Sequence, residues 1–170
     1  MIKCVKYSGK KTSSVELDKV NLIRDRVWVN VISPNEKELD KLKNKFKLYA
    51  RDLVDSLDEN EIPRLSTRDR YSFIVFRSLI GKNSVPVGIF LSKNFIITIH
   101  AKPLKPISTF FKIMFTSEGP EFFGRGIDFL FYKIVSEMNR NLHKDLNDFD
   151  DKLDAIEYKV LKNKMNNINE

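Results

Sequence analysis

After Gly126 the chain runs to Glu170 without a glycine or proline, and its apolar residues there form two interleaved series. Leu142, Phe149 and Ile156 are seven apart, and so are Leu146, Leu153 and Val160. Alternating steps of four and three put all six on one narrow face of a helix. About 40 helical residues reach roughly 60 Å, further than a domain of this size is wide. The helix must therefore leave its own domain, and its seam needs a partner. No second helix of similar length follows before residue 170. The expectation is a globular head, residues 1–123, and a helical arm, residues 124–170, with Gly124 and Gly126 at the joint. The arm reads as one part of a larger assembly, cut before the rest.

Composition narrows the class. With 170 residues, 42% apolar and 31% charged, the chain is globular rather than disordered. Cys4 is the only cysteine, so no disulfide forms within the chain and a reducing compartment suits it. The alternating start Met1-Ile2-Lys3-Cys4-Val5-Lys6-Tyr7 lacks a signal peptide's apolar core. No apolar run approaches the ~18 residues of a membrane span. Charge is uneven: residues 1–123 carry 22 Lys and Arg against 14 Asp and Glu, and residues 124–170 carry 8 against 9. A basic head suits an anionic neighbour, nucleic acid or a membrane surface, although simple solubility explains it equally.

The pattern along the head alternates strands and helices. Residues 2–7 and Val27–Val31 read as strands, with Trp28, Val29 and Val31 as core, and Gly9–Ser14 as a polar loop. Ser33, Pro34 and Glu36 predict a capped helix start. Leu39, Leu42, Phe46 and Tyr49 then give that helix an apolar face. A short helix is expected over Asp52–Asp58. Tyr71–Arg77 reads as a strand buried on both faces. Val85–Leu91 and Phe95–His100 read as a β-hairpin. A further helix is expected over 107–116, ended by a Ser117–Pro120 loop. The fold class is α/β: a mixed β-sheet sandwiched between helices, followed by one long C-terminal helix.

Few residues in this pattern suggest chemistry. Gly9-Lys10-Lys11-Thr12 lacks the first glycine and the following helix of a phosphate loop. His100 and His143 have no second ligand at metal-site spacing, and no nucleophile-elbow motif is present. No catalytic or cofactor-binding residue is assigned, and an enzyme is not expected. Asp52, Asp55, Asp58, Glu59 and Glu61 place five carboxylates within ten residues, and hard cations prefer such oxygen donors. Helix capping and a solvated loop are the plainer reading. A second acidic group on the arm, Asp145, Asp148, Asp150, Asp151, Asp154 and Glu157, reads as a solvated helix face. The lysines at 41, 43, 45 and 47 split between helix faces, and no nucleic-acid-binding signature is present.

Four head segments in order carry a resemblance. They are Trp28–Val31 with Pro34–Leu39; Leu53-Val54-Asp55-Ser56-Leu57-Asp58 with Glu61–Leu65; Tyr71–Arg77; and Phe90–His100. On the arm, Leu130–Val135 and Asp150–Glu157 continue it. Together they resemble the cytosolic domain of the CorA family of magnesium and cobalt transporters. The resemblance implies a head of mixed sheet between helices, then long helices running toward the membrane, in a homopentamer around a pore. It implies two membrane spans and a Gly-Met-Asn signature beyond the residues present here. This chain would then be the part on the cytoplasmic side of a multi-pass cell-membrane protein, unable to conduct ions itself.

By the same resemblance Asp55 matches a head carboxylate that binds a regulatory divalent cation between subunits. Val54 stands where some members have a second carboxylate, and Ser136 where some have an acid on the arm. The usual partner carboxylate lies on a later helix, so this chain would hold half a site. Mg²⁺, possessed of its own waters, needs only one or two carboxylates. The implied function is regulation of a Mg²⁺ transporter that also takes Co²⁺ or Ni²⁺, with no cofactor required by the head itself and no small-molecule substrate. A zinc-transporting relative is the close alternative. A basic nucleic-acid-binding or scaffold domain that dimerises through its arm is the alternative of a different class.

Overall fold

The structure is a computed structural model that describes residues 1–81 and 83–168, with the side chains of 144, 145, 148, 149 and 161–168 outside the description. Seven strands form one mixed sheet: β1 (Ile2–Ser8), β2 (Lys11–Val15), β3 (Arg26–Ile32), β4 (Arg64–Thr67), β5 (Ser72–Ile80), β6 (Asn83–Leu91) and β7 (Phe95–His100). Their order is β2-β1-β3-β7-β6-β5-β4. Only β3 and β7 run parallel, in the register Trp28 to Ile96 and Val31 to Ile99; the other pairs are antiparallel. Every residue of β7 is buried, as a central strand covered on both faces requires.

Helices α1 (Glu36–Phe46) and α2 (Ala50–Asp55) cover one face. Leu42, Phe46 and Leu53 pack there with Val29, Val31, Phe73, Phe90 and Ile97. Helices α3 (Lys105–Ile113), α4 (Gly119–Gly124) and α5 (Ile127–Ile168) serve the other face. Trp28 lies there between Phe110 and Phe111, at ring distances of 5.7 and 4.9 Å. The sheet between two helical layers and the long terminal helix are as expected. The first turns of α5 belong to the same core: Ile127, Leu130, Ile134 and Met138 are all buried. Further on, Leu146, Leu153, Ile156 and Val160 of the predicted seam are exposed. The side chain of Phe149, and of Asp145 and Asp148 in the arm's acidic group, lies outside the described residues.

Several local expectations change. The stretch read as a polar loop is a hairpin turn and a strand. Gly9 and Lys10 both have positive φ, 58° and 64°, and such a two-residue turn matches the twist of the strands it joins. The helix cap lies two residues later than expected. Asn35 accepts from the Glu38 amide at 2.9 Å, while Glu38 accepts from the Asn35 amide at 3.1 Å. Ser33 remains tied to the sheet, its amide donating to the His100 carbonyl at 2.9 Å. Lys47 ends α1 in a left-handed conformation, φ 55°, so Tyr49 leaves the apolar face and is exposed. The expected helix over Asp52–Asp58 starts and stops earlier, at Ala50 and Asp55, and residues 119–120 of the expected loop open α4.

Close packing seats α2 on β6. A Cβ on Gly88 would come within 2.1 Å of the Ser56 hydroxyl oxygen and 2.4 Å of its Cβ. Gly88→Ala should destabilise the fold by about 2 kcal/mol through overpacking, read as a lower urea midpoint. Ser56→Gly in the same chain should recover part of the loss, because it removes both clashing atoms.

At the sheet centre the buried polar groups form one chain across β3 and β7. Trp28 Nε1 donates to Thr98 Oγ1 at 3.1 Å, and Thr98 donates to Asn30 at 3.0 Å. His100 Nδ1 contacts the Lys102 carbonyl at 2.6 Å, and Nε2 meets the Asn30 side chain at 3.0 Å. The histidine is thus part of the sheet's buried polar chain. Burial lowers its pKa below the ordinary value and outweighs the opposite pull of the Lys102 carbonyl. The neutral ring is the native form. Its contribution to stability is complete above the unfolded value of about 6.5, and shrinks as pH falls below that toward the lower folded value. Urea midpoints of the wild type should decline over this window more steeply than those of His100→Gln.

Candidate cation site

The acidic run that ends α2 meets a row of arginines from the sheet edge. In β4 and just beyond it, Arg64, Ser66 and Arg68 alternate along the strand and so lie on one face. That face looks toward α2. Asp52, in the first turn of α2, is completely buried. Arg68 holds it with two nitrogens, Nη2 to Oδ1 at 2.6 Å and Nε to Oδ2 at 3.0 Å. The Tyr71 hydroxyl donates to Oδ2 at 2.7 Å and itself accepts from the Tyr49 amide at 2.9 Å. Burial alone would raise the Asp52 pKa. Hydrogen bonds from Arg68 and Tyr71 and the charges of Arg68 and Arg64 outweigh it, and the carboxyl titrates below its ordinary range. Burial and the Asp52 charge push the Tyr71 phenol well up.

Asp55 lies one turn further along the helix. Its Oδ2 accepts from Arg64 Nη2 at 2.5 Å, and Arg51 Nε stands 3.8 Å from the same oxygen. Arg64 Nε also donates to Glu61 Oε1 at 2.7 Å. Of the five carboxylates of the run, Asp52, Asp55 and Glu61 are drawn to arginines. Asp58 caps a turn by accepting from the Asn60 amide at 2.9 Å, and Glu59 contributes its carbonyl to Arg77 at 3.1 Å. Tyr49, Arg51, Asp52, Glu61, Arg64, Thr67, Arg68 and Asp69 line an open cleft of about 520 Å³ beside them.

Among the described residues no group of three or more His, Cys, Asp or Glu side chains is disposed to hold a metal. The expected site residue, Asp55, is therefore a single carboxylate braced by an arginine. Sequence reasoning named the acids and missed the arginines and Tyr71 that organise them. The alternation of Arg64, Ser66 and Arg68 was the available signal, since a strand with that spacing aims all three at one helix. Of Gly9-Lys10-Lys11-Thr12, the first two residues make the β1–β2 turn and the last two open β2.

Helices over both faces of a mixed sheet, with one helix running on beyond the core, make this an α/β domain with a projecting arm. The chain belongs to the CorA family: the family model for the CorA-like Mg²⁺ transporter protein matches residues 24–169. It is 31% identical over 138 residues to the cobalt/magnesium transport protein CorA of Methanocaldococcus jannaschii, covering 79% of this chain and 44% of that protein. The structure of the complete CorA magnesium transporter of that organism superposes with a TM-score of 0.80 at 27% identity, over 95% of this chain and 51% of the other. The structure of its soluble domain gives 0.78 at 29% identity, over 93% of this chain and 64% of the other. The cytoplasmic domain of ZntB from Vibrio parahaemolyticus shares the fold, with a TM-score of 0.72 at 13% identity over 90% of this chain and 63% of that one. This chain thus spans about half the length of the full-length relatives it matches.

The Asp52 cluster fixes α2 and hence Asp55. Tyr71→Phe removes one donor to a charged acceptor and should cost about 1.5 kcal/mol. Because Asp52 has a lowered folded pKa, its contribution is present above the unfolded value of about 3.9 and lost as pH falls through the folded one. The acid-unfolding midpoint of Tyr71→Phe, followed by circular dichroism, should therefore move to higher pH.

Proposed function

We propose that this chain is the cytosolic regulatory head of a divalent-cation transporter, with Mg²⁺, and also Co²⁺ or Ni²⁺, as the transported ions. The observation that carries this reading is the family match over residues 24–169, together with 31% identity to a cobalt/magnesium transport protein. Among the described residues no helix is long and apolar enough to cross a membrane. The spans would belong to the half of the relatives' length that this chain does not match. The family resemblance supports a homopentamer around a pore, with the heads on the cytoplasmic side of a multi-pass membrane protein.

The division into a head, residues 1–123, and an arm, residues 124–170, fits this role. The first turns of the arm are rooted in the head's core, so a movement of the head turns the helix with it. Asp55 serves as a regulatory Mg²⁺ ligand and supplies half of a site shared with another carboxylate. Its half-buried position at the end of α2, away from both packed cores, leaves it reachable by a neighbouring subunit.

The test is a chimera in which this chain replaces the matching N-terminal part of the M. jannaschii transporter. In a bacterial strain lacking its own magnesium uptake, the chimera should restore growth at low Mg²⁺. Asp55→Asn in the chimera should leave uptake intact and blunt its inhibition by internal Mg²⁺. A chimera that reaches the membrane but takes up no Mg²⁺ would count against the proposal, and Zn²⁺ uptake in its place would favour the zinc-transporting alternative.

A further inference from the structure

At the end of the sheet where β6 turns into β7, three connections meet and are tied together by hydrogen bonds. Ser92 in the β6–β7 turn donates to the Arg70 carbonyl of the β4–β5 turn at 2.7 Å. Tyr49, in the link between α1 and α2, donates its amide to the Tyr71 hydroxyl at 2.9 Å. Two adjoining clefts of about 290 and 240 Å³ lie over these connections, and Lys47 and Arg70 line both. Tyr49 and Lys43 line only the first, and Lys93 only the second. Together the clefts reach the size of a small-ligand site. Cations dominate them. Among the described residues Lys43, Lys47, Arg70 and Lys93 make no side-chain hydrogen bond or ion pair, and Asp69 is the single carboxylate that lines either cleft. Like charges gathered in this way repel one another, and a bound anion relieves the repulsion. The end of α1, which would itself repel an anion, is muted, because the Lys47 and Leu48 amides both donate to the Lys43 carbonyl.

An aromatic ring supplies a second kind of contact. Tyr49 is 53% exposed, yet it is braced: the Arg68 guanidinium carbon lies 5.4 Å from its ring centre and the Tyr71 ring 6.3 Å away. The lining therefore runs from an exposed ring, through the shared cations Lys47 and Arg70, to Lys93. We propose that these clefts bind a nucleoside triphosphate, its base against Tyr49 and its phosphates along Lys47, Arg70 and Lys93. A simple anion would use the cations and leave the ring idle. A nucleotide uses both, because every base has a face that stacks on an aromatic side chain. Arg70 adds a planar fork that matches phosphate oxygens in pairs. The inference goes beyond the transporter reading and does not involve Asp55. Mg²⁺ is commonly held by phosphates of such ligands, so the site gives the head a second input beside the free ion.

The test is calorimetric titration of the 170-residue chain with ATP at physiological ionic strength, with inorganic triphosphate and a short single-stranded RNA as parallel probes and folding checked by circular dichroism. The wild type should bind ATP with sub-millimolar affinity and triphosphate more weakly. Lys47→Asn combined with Arg70→Gln should weaken both ligands by about tenfold; asparagine tolerates the left-handed backbone at position 47. Tyr49→Ala should weaken ATP alone by about tenfold. If that variant does not fold, the preference of the wild type for ATP over triphosphate carries the test. Lys37→Gln, an exposed position in the first turn of α1, should change neither affinity. Absence of ATP binding at millimolar concentration overturns the proposal, and so does equal affinity for ATP and triphosphate. A loss in Lys37→Gln as large as that in the double variant replaces the site by diffuse charge. RNA that displaces ATP with higher affinity overturns the proposal in favour of a nucleic-acid groove.

Discussion

The parallel pairing of β3 with β7 organises this molecule. Parallel neighbours cannot be joined by a tight turn, so the chain between them must cross over. Here the crossover carries α1, α2 and the whole β4–β5–β6 meander. It brings the acidic end of α2 and the arginines of β4 into contact at the far edge of the sheet. After β7 the chain is left on the opposite face, where α3 to α5 close the second core. The pair is locked by more than its ladder. The side-chain bonds from Trp28 to Thr98 and from Thr98 to Asn30 tie both strands together inside an apolar interior, where an unpartnered polar group would be costly.

A buried carboxylate performs the equivalent service for α2. This helix has six residues, too few for a stable helix by itself, and Tyr49 at its N-cap makes no side-chain cap bond. Asp52 compensates by anchoring the first turn to Arg68 and Tyr71, and the tight seat of Ser56 over Gly88 fixes the other end. Asp55 is therefore aimed by its neighbours. The same acids that look alike in sequence have different work: Asp52 is buried against Arg68 and Tyr71, and Asp55 is paired with Arg64 across from β4.

The architecture was largely legible because the signals were periodic. All-apolar strands flagged the central sheet, and spacings of three and four flagged α1, α3 and the arm. Expectations failed where geometry depends on backbone sign or on a competing partner. Gly9 and Lys10 turn a polar loop into a hairpin because both adopt positive φ. Ser33 lost the capping role to Asn35 because its amide already completes the sheet. At the site, five carboxylates in ten residues were plain to see. Their neutralisation was not, since it relies on arginines that a strand register brings across from later in the chain.

The arm gains meaning from where its burial stops. Among the described residues Met138 is the last buried apolar residue of α5, and Leu146, Leu153, Ile156 and Val160 are exposed on one stripe. The stripe is flanked by Asp150 and Glu157 on one side and by Lys152 and Lys159 on the other, read at seven-residue spacing. An identical helix laid antiparallel along it would set acid against acid and lysine against lysine, whereas a covering helix of reversed charge order would pair both flanks. The seam therefore discriminates against antiparallel self-pairing while still demanding cover. The helix is thus rooted at one end in the head's second core, and its selective stripe begins where that burial stops.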